Sequence, residues 1–175
     1  KQLGKYRANT IGFGLSCNLL VDTMYEWTFE KIQKFDNELV LSGDIKIDDA
    51  DELRDELDGE LVMVDQVEIS KKKNATAADK TKQTLTVMEG KGYYNITDEK
   101  QNILSIPKGT VALSHKVAKG LAVDVGDTIY WHIYTENSWY EAKVGVINRS
   151  PDTQGITFLR EDFEKSGARF TPGIL

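Results

Sequence analysis

Cysteine is all but missing from this chain: Cys17 stands alone, so no internal disulfide can form. Histidine is nearly as scarce, and with only His115 and His132 to join Cys17 no Cys/His metal framework can be assembled. There are only 3 prolines against 14 glycines, and no internal repeat or low-complexity tract. A long apolar run is lacking too. The longest uncharged stretch, Ala8 to Val21, is interrupted by Asn9, Thr10, Ser16 and Asn18, whereas crossing a bilayer takes about 18 to 20 mostly apolar residues. No basic leader with a small-residue cleavage site precedes it. Nor is there an excess of positive charge. Twenty-two basic residues face 28 acidic ones, a formal net charge of −6, which repels a phosphate backbone and argues against nucleic acid as a partner.

What remains is the profile of one folded domain: 175 residues, 40% hydrophobic and 29% charged. Val21, Met24, Tyr25, Ile32 and Phe35 share one side of a helical projection over Asn18 to Phe35, an amphipathic helix expected to pack on a sheet. Leu39, Leu41, Ile45 and Ile47 alternate with Val40, Ser42, Asp44 and Lys46, which predicts a strand with one buried face. Asp48 is placed to cap a short helix that buries Ala50, Leu53 and Leu57 and stops at Gly59. Leu61 to Ile69 and Gln83 to Met88 read as an antiparallel pair across a polar loop, with shorter strands at Tyr93 to Thr97 and Ile103 to Ile106. A Ser114-capped helix through Leu121, a glycine turn at Gly126, strands at Thr128 to Tyr134, Trp139 to Ile147 and Gly155 to Leu159, and a helix at Glu161 to Lys165 complete the pattern.

Chemistry-bearing patterns are sparse. Asp49, Asp51 and Glu60 match positions one, three and twelve of a calcium loop, but Leu53 and Arg54 stand where that loop needs an oxygen ligand and a glycine. The acidic run is thus read as a solvated helix face. Gly12-Phe-Gly14 and Gly90-Lys-Gly92 lack the continuation of a phosphate cradle. His115 and His132 show no nucleophile or orienting acid beside them and are read as surface side chains. Lys71-Lys72-Lys73 reads as a solvated loop tip, and Trp131, Tyr134, Trp139 and Tyr140 as packing within one hairpin. Asn74, Asn95 and Asn148 open glycosylation-type triplets. No catalytic, cofactor-binding or metal residue is expected, and no cofactor; the chain is read as no enzyme.

One stretch is more specific. Val111-Ala-Leu-Ser114-His-Lys-Val-Ala118-Lys-Gly-Leu121-Ala-Val-Asp-Val125-Gly126-Asp127-Thr128-Ile129 resembles a phrase in the extracytoplasmic domains of FtsX/MacB-type ABC transporter permeases, although related phrases occur in small β-barrels of the AbrB and double-psi type. Gly12-Phe-Gly14-Leu15 with the following helix, the strand Lys143 to Ile147, and Phe158 to Phe163 followed by Phe170-Thr-Pro172 are similar to further segments of the large Gram-positive permeases. Asp48 to Gly109 matches no such motif.

The resemblance implies a mixed α+β fold, a largely antiparallel sheet with an N-terminal amphipathic helix and short helices, like the MacB/FtsX periplasmic core. It implies residues 1–17 as a membrane-proximal segment after a truncated first membrane helix and 18–175 as one extracellular domain, with a helix-containing lobe about 18–69 and a β-rich lobe about 83–159. The implied role is non-catalytic: to couple ATP hydrolysis by a cytosolic ABC ATPase subunit, through membrane helices outside this sequence, to an extracellular protein or peptide partner. The implied location is the cell membrane, with this domain outside it. A free-standing, β-barrel-like binding module or enzyme fragment is the alternative.

Overall fold

Strand β1 (Val62–Ser70) runs through a polar loop with a single 3-10 turn into β2 (Thr81–Met88), and the two pair antiparallel from Val62 opposite Met88 to Ile69 opposite Thr81. In the computed structural model, which describes residues 21–175, this hairpin is one part of a closed barrel. After the small β3 (Ile96–Thr97) and β4 (Ile103–Leu104) hairpin come β5 (Val111–Ser114), β6 (Thr128–Ile133), β7 (Tyr140–Asn148) and β8 (Ile156–Leu159). Around the ring the order is β1, β2, β8, β5, β7, β6, and β6 closes back on β1.

The α+β fold with a mixed, largely antiparallel sheet and an N-terminal amphipathic helix expected from the sequence is therefore wrong: the strands close into a six-stranded mixed barrel with a few short helices. Two of the six seams, β2 with β8 and β5 with β7, are parallel, and the sheet has no free barrel edge. The physical reason is sequence distance. A hairpin announces itself through its turn, but a parallel seam joins strands far apart in the chain and leaves no local signature. Strand β5 was itself missed, because Val111–Ser114 is buried along its whole length and shows no alternation.

Inside the barrel, Val67, Ile69, Leu85, Val87, Leu113, Ile129, Val144 and Ile156 are buried. Trp131 is fully buried among them, its ring 4.8 Å from that of Tyr140, 4.9 Å from Phe158 and 5.5 Å from Phe163. Phe163 belongs to the short helix Arg160–Lys165, which follows β8 directly and brings that ring into the core. At Gly155, where the chain turns into β8, φ is +95° and an added Cβ would lie 2.0 Å from the Thr84 carbonyl oxygen, so only glycine fits.

Helix α1 (Ile47–Leu57) precedes the barrel, α2 (His115–Leu121) lies between β5 and β6, and α3 is the Arg160–Lys165 helix. Three local expectations change. Residues 39–47 form no strand: Val40 makes one isolated bridge, and α1 already begins at Ile47, with Lys46 at its N-cap in place of Asp48. On α1 only Ala50 is fully buried, and Leu57 is 52% exposed. Residues 21–26 are helical and continue as a π-helical turn, Trp27–Ile32, but Val21, Met24 and Tyr25 face solvent; only Ile32 of the expected apolar face is buried. A solvated stripe cannot pack on the sheet as one stiff lever. The part of this helix before Val21, and the Gly12-Phe-Gly14 turn, lie outside the described residues.

Candidate functional site

Segments 39–41 and 173–175, distant along the chain, meet. Leu39 N–H donates to the Leu175 carbonyl at 2.7 Å, Leu175 N–H returns to Leu39 at 2.9 Å, and Leu41 N–H donates to Gly173 at 2.9 Å. Ile174 also bridges to β1, accepting from Val62 N–H at 2.9 Å. Residues 39–41, 173–175 and the start of β1 thus lie side by side. Leu175 packs against the core, close enough to Gly59 that an added Cβ there would lie 2.7 Å from it.

Beside this junction lies a groove of about 640 Å³, walled by residues 33–39, by Leu57 to Glu60 at the end of α1, and by Val62, Val64, Tyr93 and Tyr94. Leu39, Leu57 and Val64 give it exposed apolar surface, and burial pushes the Tyr94 phenol up to about 12. Its floor is fastened by Glu60, a buried carboxylate. One of its oxygens accepts the backbone N–H groups of Gly90 (2.6 Å) and Lys91 (3.1 Å), and the other those of Tyr93 and Tyr94 (3.1 Å each). The glycine pair at 90–92 is therefore a turn wrapped on a carboxylate. Glu60 is spent holding a loop and does not face a cation.

Asp51 is likewise engaged by protein. Arg160 reaches its two oxygens at 2.6 and 3.0 Å, Arg54 reaches it at 2.6 Å, and both arginines also meet Glu89. The hydrogen bond from Arg160 holds the Asp51 carboxyl below its ordinary value, with both guanidiniums adding attraction, while the acidic partners raise both arginines. Leu61 N–H donates to the other Glu89 oxygen, so this ion network ties α1 and α3 to the β2 end. Among the described residues no group of three His, Cys, Asp or Glu is placed to hold a metal ion.

The histidines differ from each other. His132 is buried, not a surface side chain: its Nε2 lies 2.8 Å from Glu68 and its Nδ1 2.8 Å from the Glu136 carbonyl, with the Trp139 ring tilted against it, centroids 4.3 Å apart. The acidic neighbour absent from the local sequence comes from β1 by the seam that closes the barrel, where Glu68 pairs with His132. Lys80 reaches the same Glu68 oxygen, its Nζ 3.2 Å away. His115 is partly exposed and meets Arg149 at 3.3 Å. Lys71 donates to the Ala122 carbonyl and Lys72 to Asp79, while Tyr134 lies under Lys82. Asn148 and Asn95 are buried and Asn74 is exposed, so of the three triplets only the first offers an accessible asparagine.

The phrase Val111 to Ile129 forms β5, α2, a left-handed turn with φ +51° at Ala122 and +98° at Gly126, and β6. Ser114 stands at the N-cap but does not cap with its side chain: its hydroxyl accepts from Gly155 N–H at 3.1 Å. The two strands of the phrase are not neighbours, because β7 lies between them. No family model matches the chain, and no curated protein matches it either.

Proposed function

We propose that this chain is a non-catalytic extracytoplasmic domain of an ABC transporter permease, which passes motion between membrane helices and an extracellular protein or peptide partner. One observation carries the reading. Segments 39–41 and 173–175 are hydrogen-bonded to each other, and Ile174 is bonded to β1. A displacement of segment 173–175 reaches β1 directly, and one of segment 39–41 reaches it through Ile174. A packed barrel moves as a body rather than deforming continuously, which is what coupling requires. The Val111 to Ile129 phrase that carries the resemblance supplies β5 and the start of β6 to the same ring.

The closed barrel favours a second reading, a self-contained binding module, since it needs no neighbour to cover a sheet edge. One experiment separates the two. Reading the coding sequence on both sides and probing the domain with protease on intact cells should reveal apolar spans at both flanks and cleavage from outside. Soluble domains at both flanks, or protection in intact cells that is lost on lysis, would leave the binding module.

A further inference from the structure

One wall of the groove beside the 39–41 and 173–175 junction is backbone with open hydrogen-bonding capacity. Among the described residues the N–H and C=O groups of 35–38 make no hydrogen bond to the protein, although this stretch joins two paired positions, Gln33 opposite Tyr94 and Val40 opposite Ile174. Leu39 and Leu41 bond Leu175 and Gly173, so by the alternation of an antiparallel ladder the N–H and C=O of Val40 point away from that pairing, and Val40 is 82% exposed. Such an edge accepts another strand. The groove itself, about 640 Å³, lies within the range of about 300 to 1,000 Å³ usual for ligand clefts, and Leu39, Leu57 and Val64 are exposed in its walls. We infer that it takes a short extended peptide segment that carries a lysine or arginine between apolar side chains.

Charge selects the peptide. Asp36, Glu38 and Asp58 line the groove as exposed carboxylates, and among the described residues none of them has an ion-pair partner. Glu60 spends its oxygens on four backbone N–H groups, and Lys34 is the one cation of the walls. An acidic segment is repelled, while a basic one meets three free carboxylates, an effect that sets specificity and encounter rate more than affinity. The apolar walls supply affinity, which a purely polar polycation cannot use. The backbone supplies register: a peptide bonded along this edge turns its side chains alternately into the groove and toward solvent. A small amphipathic cation satisfies walls and charge but leaves the backbone unpaired, so a peptide fits better. As the seat of the extracellular partner the site rests on the permease reading; as a peptide-binding groove it does not.

The test is an NMR titration of the 175-residue chain with the acetylated, amidated pentapeptide Val-Lys-Leu-Arg-Val. Val-Glu-Leu-Glu-Val, Ser-Lys-Ser-Arg-Ser and dodecyltrimethylammonium below its micelle concentration run beside it. The first peptide should give saturable shifts at the amides of residues 35–40 and 57–59 and slow the exchange of the Val40 amide, and the other two peptides should bind at least about tenfold more weakly. Glu38→Lys and Leu57→Ser should each weaken binding at least about fivefold. Both side chains are exposed, an unchanged Tm shows that the fold survives, and the equally exposed Asp58→Lys replaces either variant that misfolds. No saturable shift, equal binding of the acidic or the polar peptide, or shifts confined to residues outside the groove overturn the inference. So does an amphiphile that binds as tightly as the peptide, or the same amides shifting on dilution without peptide, which makes the occupant a second copy. Because the chain is tested by itself, a negative result leaves the permease reading to the flanking-sequence and protease experiment, and a positive one survives the failure of that reading.

Discussion

At the scale of single residues, position outweighs chemical type. The chain carries 28 acidic side chains, and Glu60 differs from Glu52 only in being buried under a loop whose N–H groups it accepts. Glu60→Ala should cost about 2 to 4 kcal/mol, because it strands those donors, while Glu52→Ala on the solvated face of α1 should cost under about 0.5 kcal/mol. Urea unfolding of the two variants checks this, and equal midpoints would refute it. Gly155→Ala should cost at least about 2 kcal/mol, since the methyl group meets the Thr84 carbonyl and the backbone needs φ +95°. Local sequence announced neither residue. Glu60 sat in an acidic run like its neighbours, and the Thr84 carbonyl that excludes a side chain at 155 comes from another strand.

At the scale of elements, α1 is held less by its apolar stripe than by ions. Only Ala50 is fully buried on it, whereas Arg54 and Asp51 join Arg160 and Glu89. Arg160→Ala should cost about 1 to 3 kcal/mol, because it leaves partly buried acids under-paired, and amide exchange should accelerate in α1 ahead of the barrel strands. The same network predicts a pH dependence. Arg160 depresses the folded-state value of Asp51 below 3.8, so the stability this contributes is complete above the unfolded value and is lost as pH falls through the lowered folded one. The difference in Tm between wild type and Asp51→Asn should therefore be steady above about pH 5 and close on acidification. A difference that widens toward acid would contradict the sign.

For the whole molecule, the barrel and the segments 39–41 and 173–175 form one bonded unit. Removing residues 173–175 takes away the partners of Leu39, Leu41 and Val62 and the Leu175 side chain packed on the core. The loss should be about 2 to 5 kcal/mol, the range for removing a large apolar side chain, with Leu41 losing exchange protection. Thermal melts and exchange on the shortened chain measure both. Unchanged stability would mean the junction transmits nothing to β1 and would weaken the coupling reading.

The sequence by itself determined the local content of this fold. Alternation located β1, a Thr-rich run located β2, the glycine turn and the loop after it located β6 and β7, and composition excluded internal disulfides and an excess of positive charge. These are properties of neighbouring residues, and period and turn chemistry report them directly. Only the tertiary structure decided that the sheet closes, that β5 and β8 enter it through parallel seams, and that Glu68 reaches His132. Each of those joins residues distant along the chain. Their pairing is set by which surfaces can be buried together, a condition on the whole molecule that no window of sequence contains.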